Sequence, residues 1–435
     1  DGVCAHAPLG LPGPPAACDD GNPCTLGDGC QNGACQSGEV VCECSKTADC
    51  GKFEDGNLCN GTLFCNLGTG KCQVAPSSVV VCDTSAEDLI SAELHDSPHL
   101  SRLKLVRPGK SLSVVDNFNT ALAAATGKYL TFIGDDDFVS DQIVTVAQWA
   151  ETHQIDAIKF SFPTLYFWPD FRHKTQDDAI AGTLRTSPFN GKVIPHDAKA
   201  AALQALANFG GGVMEMPRAY AGLVSMDLVK RIQEKYGPLF GGVSPDIYSA
   251  FLISQEARKC VYIDYPVIVP GASGASTAGQ SAKGTHVGAL RDNSHIRPFR
   301  DLVWDERIPE FYSVPTVWSY SLLKAVEKHG ALEEQINFAR LYLKCLVFHR
   351  PFMQKTLTAC TIYRQQVSLG QILRAALPAT LSEAAWITKK ISGRLLQKAK
   401  IEQEQQVLPN LEDTIAASEA LQSALSQHVT KLELP

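Results

Sequence analysis

Three consecutive carboxylates, Asp135, Asp136 and Asp137, follow the apolar run Tyr129-Leu-Thr-Phe-Ile133 and a single glycine. Like charges at that spacing repel one another unless something positive sits among them. A divalent ion is the natural partner. Hard Mg2+ or Mn2+ prefers oxygen ligands, needs one or two protein carboxylates and completes its shell from water and diphosphate oxygens. The bland alternative is a solvated acidic loop, or an N-cap for the helix expected from about Asp141, and that accounts for only one or two of the acids. A further acid, Asp83, ends the β-branched run Val79-Val-Val-Cys82. Another, Asp246, stands in Phe240-Gly-Gly-Val-Ser-Pro-Asp246, where Ser244 reads as an N-cap and Pro245 as the first helical residue. A carboxylate in that place can act as a general base toward a hydroxyl, or simply complement the helix dipole.

The elements that must position these acids alternate. A short strand over 79–83 is followed by a capped helix over 85–94, a strand over 103–106, a helix over 118–125 ending at Gly127, and a buried strand over 128–133. Alternation of this kind predicts a parallel α/β sheet, whose ligand sites gather at the carboxyl ends of its strands. Both acidic groups fall at such ends. Farther along, Pro270-Gly-Ala-Ser-Gly-Ala-Ser-Thr-Ala-Gly279 is a small-residue loop whose backbone amides could approach a phosphate, or an ordinary linker. Arg218 and Tyr220 are candidates for contacts to phosphate and acceptor, or the start of a strand over 221–225. Tyr166, Phe167, Trp168 and Trp318 could stack on sugar faces, but core packing is the favoured reading of aromatic residues. After about residue 314, helical spacing runs over 316–327, 335–348, 382–397 and 413–432, with breaks at Pro351, Pro378 and Pro409. The basic stretch 389–400 reads as a solvated helix face rather than a membrane contact.

The segment ahead of this alternation is of another kind. Twelve of the 15 Cys lie between Cys4 and Cys82, and over Asp1–Cys82 three Lys, no Arg, six Asp and three Glu leave a net charge of −6. Phe53 and Phe64 are its only aromatics, too few for an unaided core, so covalent cross-links must do that work. Asp20-Gly-Asn-Pro-Cys24 with Cys30 and Cys35 is repeated 35 residues later by Asp55-Gly-Asn-Leu-Cys59 with Cys65 and Cys72. The spacing reads as a disulfide framework more than as zinc, which favours tight Cys-x2-4-Cys pairs. Cys4 reads as the last cysteine of a repeat whose front is absent, and the chain opens at Asp1 without an initiator Met or signal segment, so a removed signal or a truncated start is expected. The pattern resembles the DGNxCT-type cysteine-rich repeats of secreted bacterial and slime-mould proteins, which implies an adhesive or spacer role. Asn60-Gly-Thr62 is a glycosylation sequon.

Asn117-Phe-Asn-x-Ala-Leu-x-x-Ala-x-Gly-Lys-Tyr-Leu-x-Phe-Ile-Gly-Asp-Asp-Asp137 resembles the central motif of family-2-type glycosyltransferases of the GT-A fold. The resemblance extends at motif level from about Ser78 to Ser276. It implies a GT-A-like mixed sheet with flanking helices, using a nucleotide-diphosphate sugar as donor and a glycan or other hydroxyl compound as acceptor, with inversion. Asp135 and Asp137 become the DXD pair, Asp135 and Asp136 on the nucleotide sugar and Asp137 on Mn2+ or Mg2+. Asp83 falls on the nucleotide base, Asp246 becomes the base for the acceptor hydroxyl, and His286 takes the place of a further metal ligand. The family's opening VSVIIPTYNR-like strand and its helix do not occur before residue 79, which predicts exposed strand edges and weakened donor binding.

The domain expectation is a cysteine-rich disulfide segment over 1–76, an N-terminally incomplete GT-A-like domain over 77–313 and a helical region over 314–435 that could support a homo-oligomer. With 39 basic and 46 acidic residues in 435, and a near-neutral chain after Cys82, a nucleic-acid partner is excluded. No apolar run reaches the length of a transmembrane helix. The repeats point to an extracytoplasmic setting and the transferase part to the cytoplasm. The rival to a working transferase is a secreted cysteine-rich binding or adhesion protein carrying a degenerate transferase domain. Nucleotidyl transfer is minor, because no Gly-rich, Lys/Arg-bearing nucleotide loop is present.

Overall fold

The computed structural model describes residues 25–26, 29–31, 34–36, 39–40, 43–44, 49–50, 63–66, 71–74, 79–85, 87–88, 90–91, 103–108, 112–174, 180–284, 286–368, 370 and 405–435. The chain divides into two compact units, Asp1–Ser77 with Ser97–Arg102, and Ser78–Asp96 with Leu103–Pro435.

In the first unit the repeat is a repeat of hairpins. Gly29–Gln31 pairs antiparallel with Ala34–Gln36, setting Cys30 opposite Cys35, and Leu63–Asn66 pairs with Lys71–Val74, setting Cys65 opposite Cys72. Cys72 is bonded to Cys50, 22 residues earlier, with an S–S distance of 2.09 Å. Cys44, Cys50 and Cys72 are the one cluster of His, Cys, Asp or Glu side chains among the described residues close enough to share an ion. All three are disulfide-bonded and offer no thiolate to a metal. Cys4, the two Asp-Gly-Asn turns, Cys24, Cys59 and the sequon lie outside the described residues.

The second unit opens with a parallel pair, β1 (Val79–Cys82) and β2 (Leu103–Val106), on which helix α1 (Val114–Ala124) packs. Ser113 caps α1, accepting from the Asp116 amide at 3.1 Å. Of the helix expected over 85–94, residues 85, 87–88 and 90–91 are described; 90–91 are helical and 85, 87 and 88 are not. Strand β3 (Tyr129–Leu130) is shorter than the expected 128–133. The chain then passes through β4 (Phe138–Val139), α2 (Gln142–Thr152), β5 (Ala157–Phe160), β6 (Thr164–Phe167), β7 (Thr183–Thr186), β8 (Val193–Pro195) and α3 (Ala198–Ala207). It continues through β9 (Gly222–Ser225), α4 (Met226–Tyr236), α5 (Pro245–Glu256), β10 (Cys260–Ile263), β11 (Ile268–Val269), β12 (Gly271–Ala272) and α6 (Thr277–Lys283).

The main sheet has the order β8-β10-β5-β9-β3. Only β5 and β10 run parallel in it, with Ala157 opposite Cys260, and the other three pairings are antiparallel. The sheet is thus mixed with flanking helices, as the GT-A-like resemblance implies, and not parallel throughout as strand–helix alternation alone suggests. Between β5 and β9 the chain makes the β6–β7 hairpin instead of a plain helical crossover, and it re-enters the sheet from the other end. A second sheet, β12-β6-β7-β13, is completed by β13 (Gln406–Leu408). The remaining helices are α7 (Val314–His329), α8 (Phe338–Phe348), α9 (Met353–Gln366) and α10 (Thr414–Gln427). The segment 382–397 lies outside the described residues.

Two apolar cores support the sheet. One gathers α3, α4, α5, α7, α8 and α9, and α5 is buried on all sides from Ile247 to Ser254, as its sequence, apolar around the whole helix, requires. The other lies under the second sheet and takes Ala417, Leu421 and Leu425 from α10. The chain from 314 onward thus contributes to both cores. No helix of the described residues is long and apolar enough to cross a membrane.

Candidate active site

The acidic turn is set by its neighbours in space. After β3, the Phe132 amide donates to the Ala219 carbonyl at 2.9 Å and the Ala221 amide to the Phe132 carbonyl at 2.7 Å, which lays residues 134–137 beside Tyr220. Phe132 stacks on Phe118 of α1 at 5.1 Å and meets Phe240 edge-on at 4.9 Å. Asn119 clamps the same Phe240, donating to its carbonyl at 3.0 Å and accepting from its amide at 3.4 Å. Phe118, Asn119 and Phe132 of the sequence motif therefore tie the acidic turn to the loop that leads to Asp246.

The three acids of the turn are not equivalent. Asp137 is buried, and its carboxylate accepts from the Tyr220 hydroxyl at 2.6 Å, the Gly134 amide at 2.9 Å and the Gly271 amide at 2.8 Å. Asp136 is equally buried and accepts from the Ser273 amide at 3.2 Å, while its backbone carbonyl accepts from the Trp168 indole at 3.0 Å. Burial, then the neighbouring Asp137 charge, pushes the Asp136 carboxyl above its ordinary range. Asp135 alone is exposed. Glycine is required at 271, where a Cβ would fall 1.7 Å from the Asp136 carbonyl oxygen, while at 134 it would fall 2.9 Å from the Asp136 carboxylate and the Tyr220 hydroxyl. The amides of Gly271 and Ser273, in the loop expected to approach a phosphate, are thus directed at the acids themselves.

Asp246 opens α5. The expected Ser244 N-cap makes no side-chain capping bond. Ser321 of α7 instead fixes the approach to the helix from outside the loop, its hydroxyl accepting from the amides of Val243 at 3.0 Å and Ser244 at 2.8 Å. No local pattern could have revealed that acceptor. The Asp246 side chain is 24% exposed, and its Oδ2 lies 3.8 Å from Nη1 of Arg218, which is itself buried. Burial pushes the Asp246 carboxyl up, and the Arg218 guanidinium opposes that shift. Arg218 and Tyr220, two residues apart on one extended segment, link the two acidic centres: one faces Asp246 and the other holds Asp137. The Tyr220 hydroxyl is pushed well up, chiefly by burial, then by the charges of Asp137, Asp136 and, more weakly, Asp246. The sequence offered Arg218 and Tyr220 as ligand contacts or as the start of a strand; in the structure each faces a carboxylate.

Asp83 ends β1, buried, and accepts from the Ser85 amide at 2.9 Å, the Ser85 hydroxyl and Arg107. The Ser85 hydrogen bonds, helped by Arg107, hold its carboxyl below the usual range. Arg107 escaped sequence reading because nothing in its own neighbourhood of the chain marks it. His286 is buried against Tyr312 with ring centroids 4.9 Å apart, and its Nδ1 has no hydrogen-bond partner. Burial, then the nearby His295, lowers its pKa. The ligand atoms of His286, Asp135 and Asp137 do not all lie within 4.8 Å of one another. His295, missed in sequence because a lone histidine carries no signal, hydrogen-bonds the Val243 carbonyl through Nε2 at 2.6 Å and is among the charges that act on Asp246. Tyr166 is fully buried, with its hydroxyl on the Leu411 carbonyl at 3.1 Å, which agrees with the core reading of that aromatic.

No family model matches the chain, and no curated protein matches it. Among solved structures it is similar to S. aureus TarS residues 1–349, at 14% identity over 67% of this chain and 83% of that one, with a TM-score of 0.35. The same TarS segment in complex with UDP-GlcNAc aligns at 12% identity over 69% of this chain and 72% of that one, with a TM-score of 0.34. A longer TarS structure aligns at 13% identity over 65% of this chain and 49% of that one, with a TM-score of 0.33.

Proposed function

We propose that the second unit is a metal-dependent glycosyltransferase that moves a sugar from a nucleotide-diphosphate donor to a hydroxyl acceptor with inversion. The observation that carries this reading is the meeting of the acidic turn and Asp246 across one short segment, through Tyr220 on Asp137 and Arg218 on Asp246. Donor acids and a candidate base are thereby held in one frame at a strand end, the arrangement that displacement at an anomeric carbon needs.

The donor set fits a hard divalent ion through one carboxylate above all. Asp135 is exposed, whereas Asp137 already accepts three hydrogen bonds. Asp135 would hold Mn2+ or Mg2+, with Asp137 behind it, and the chemistry so supplied is neutralisation of the departing diphosphate. Asp83 and Asp136 would face the nucleotide sugar. His286, set against Tyr312 and His295, shapes the wall of the site in this reading. Asp246 would take the proton of the acceptor hydroxyl as its oxygen attacks the anomeric carbon and the carbon–oxygen bond to the diphosphate breaks. Arg218 favours the ionised form of Asp246 that this step requires.

Calorimetric titration of UDP and GDP, with and without Mn2+, tests the reading. Manganese-dependent binding of one nucleotide is expected, lost in Asp135→Asn and kept in Asp246→Asn, with donor turnover lost in the latter. A folded chain that binds neither nucleotide would sink the proposal. It would favour the second reading, a cysteine-rich binding protein with a degenerate transferase domain. That reading draws on the β1–β2 pair, a two-stranded sheet separate from the five-stranded one, whose Asp83 is already engaged by Ser85 and Arg107.

A further inference from the structure

Arg218 borders more than Asp246. It also lines a cavity of about 240 Å³ together with Lys159 and Phe162 at the end of β5, Met214 and Glu215 in the turn before Arg218, and Tyr262 of β10. The volume suits a single ring better than an extended chain. Its charges are already matched. Lys159 Nζ lies 3.3 Å from Glu215 Oε2 and 4.5 Å above the Tyr262 ring, and Arg218 faces Asp246. Neither cation of the lining is therefore left to hold a phosphate group, whose recognition calls for uncompensated positive charge. What the cavity offers is three aromatic residues (Phe160, Phe162 and Tyr262), the thioethers of Met214 and Met216 and one carboxylate–ammonium pair. Met214 and Glu215 stand at its rim, 44% and 54% exposed. That combination recognises a neutral ring with apolar C–H faces and hydroxyls at its edge, the faces on Phe162 and Tyr262 and neighbouring hydroxyls on Glu215 and Lys159.

We infer that this cavity is the acceptor subsite and that its ligand is a neutral pyranose of a glycan or glycoside, not a phosphate-bearing polyol. The inference rests on the transferase reading above, because it is the shared Arg218 that brings a hydroxyl of such a ring toward Asp246.

Saturation-transfer NMR on the full chain with UDP and Mn2+ present decides it, using methyl β-D-glucopyranoside, methyl N-acetyl-β-D-glucosaminide and glycerol 3-phosphate as probes. At least one pyranoside should be saturated and glycerol 3-phosphate should not. Phe162→Ala should weaken the pyranoside by about fivefold. Glu215→Gln, an exposed change that leaves folding intact, should also weaken it and bring in glycerol 3-phosphate by freeing Lys159. UDP binding, followed in parallel, should be unchanged in both variants. Absence of pyranoside saturation while UDP still binds overturns the subsite and leaves the transferase reading standing. Saturation of glycerol 3-phosphate by the wild-type chain overturns the ligand class. Pyranoside binding in a chain that does not bind UDP overturns the acceptor assignment together with the transferase reading.

Discussion

Replacing Asp137 by alanine and Asp135 by asparagine should produce opposite effects, although the two acids are two residues apart. Asp137→Ala strands three donors at once: the Tyr220 hydroxyl, and the amides of Gly134 and Gly271. Tyr220 is pinned between the acids and Gly271 sits against the Asp136 carbonyl, so neither donor can turn to water. Hydrogen bonds to a charged acceptor contribute roughly 1.5–3 kcal/mol each, and partial relaxation brings the sum for this site to about 4 kcal/mol. For a unit of this size that lowers the melting temperature by about 10 °C. Asp135 is exposed, so Asp135→Asn should move the melting temperature by no more than about 2 °C while removing manganese-dependent nucleotide binding. Scanning calorimetry on both variants, beside nucleotide titration, makes the comparison. If Asp135→Asn melts several degrees early, or Asp137→Ala melts with the wild type, the division of labour within the turn is wrong.

Tyr220→Phe removes one of the three bonds to Asp137 and leaves the two amides in place, so urea unfolding should report a loss of about 1–2 kcal/mol, well short of Asp137→Ala. The raised Asp246 carboxyl predicts that donor hydrolysis falls off on the acid side at a pH above the ordinary carboxylate range, since the acid must ionise to work. Arg218→Lys should keep that limb near its place and Arg218→Met should move it to higher pH; an unmoved limb in the methionine variant would refute the pairing. His286 and His295 both have lowered folded-state pKa values, so stability should be full above about pH 6.5, the unfolded value, and decline as pH falls below it. His286→Phe should flatten part of that decline in pH-dependent melting. Arg307 pairs with Asp305, Glu327 and Glu333, and Arg307→Met should cost about 3 kcal/mol, read by denaturant unfolding, because it leaves the half-buried Asp305 uncompensated.

Much of the architecture was legible in residue order. Val79–Cys82, Leu103–Val106 and Gly222–Ser225 form where β-branched and apolar runs lie between turn residues, and α5 begins at Pro245 as its position after a serine predicts. These are local matters, decided by φ/ψ preference and the spacing of apolar residues. The mixed direction of the main sheet was legible only through the resemblance of the Asn117–Asp137 motif and not through strand–helix alternation, because direction depends on how the chain returns to the sheet and not on any strand's own residues. The same limit explains why the approach to α5 is held by Ser321, far along the chain, while Ser244 makes no capping bond.

At the site, the sequence by itself determined which residue types were available and that the acids stand at strand ends, where the motif from Asn117 to Asp137 and the Pro-Asp helix start put them. It could not determine which acid is free. Adjacent aspartates are chemically identical until their surroundings differ, and only the tertiary structure sets Asp137 among Tyr220, Gly134 and Gly271, turns Asp136 toward Ser273 and leaves Asp135 in solvent. Only the tertiary structure, too, brings Arg218 to Asp246 and Arg107 to Asp83. A carboxylate's role follows from its burial and its donors, and both are properties of segments far apart in the chain that meet only when it folds.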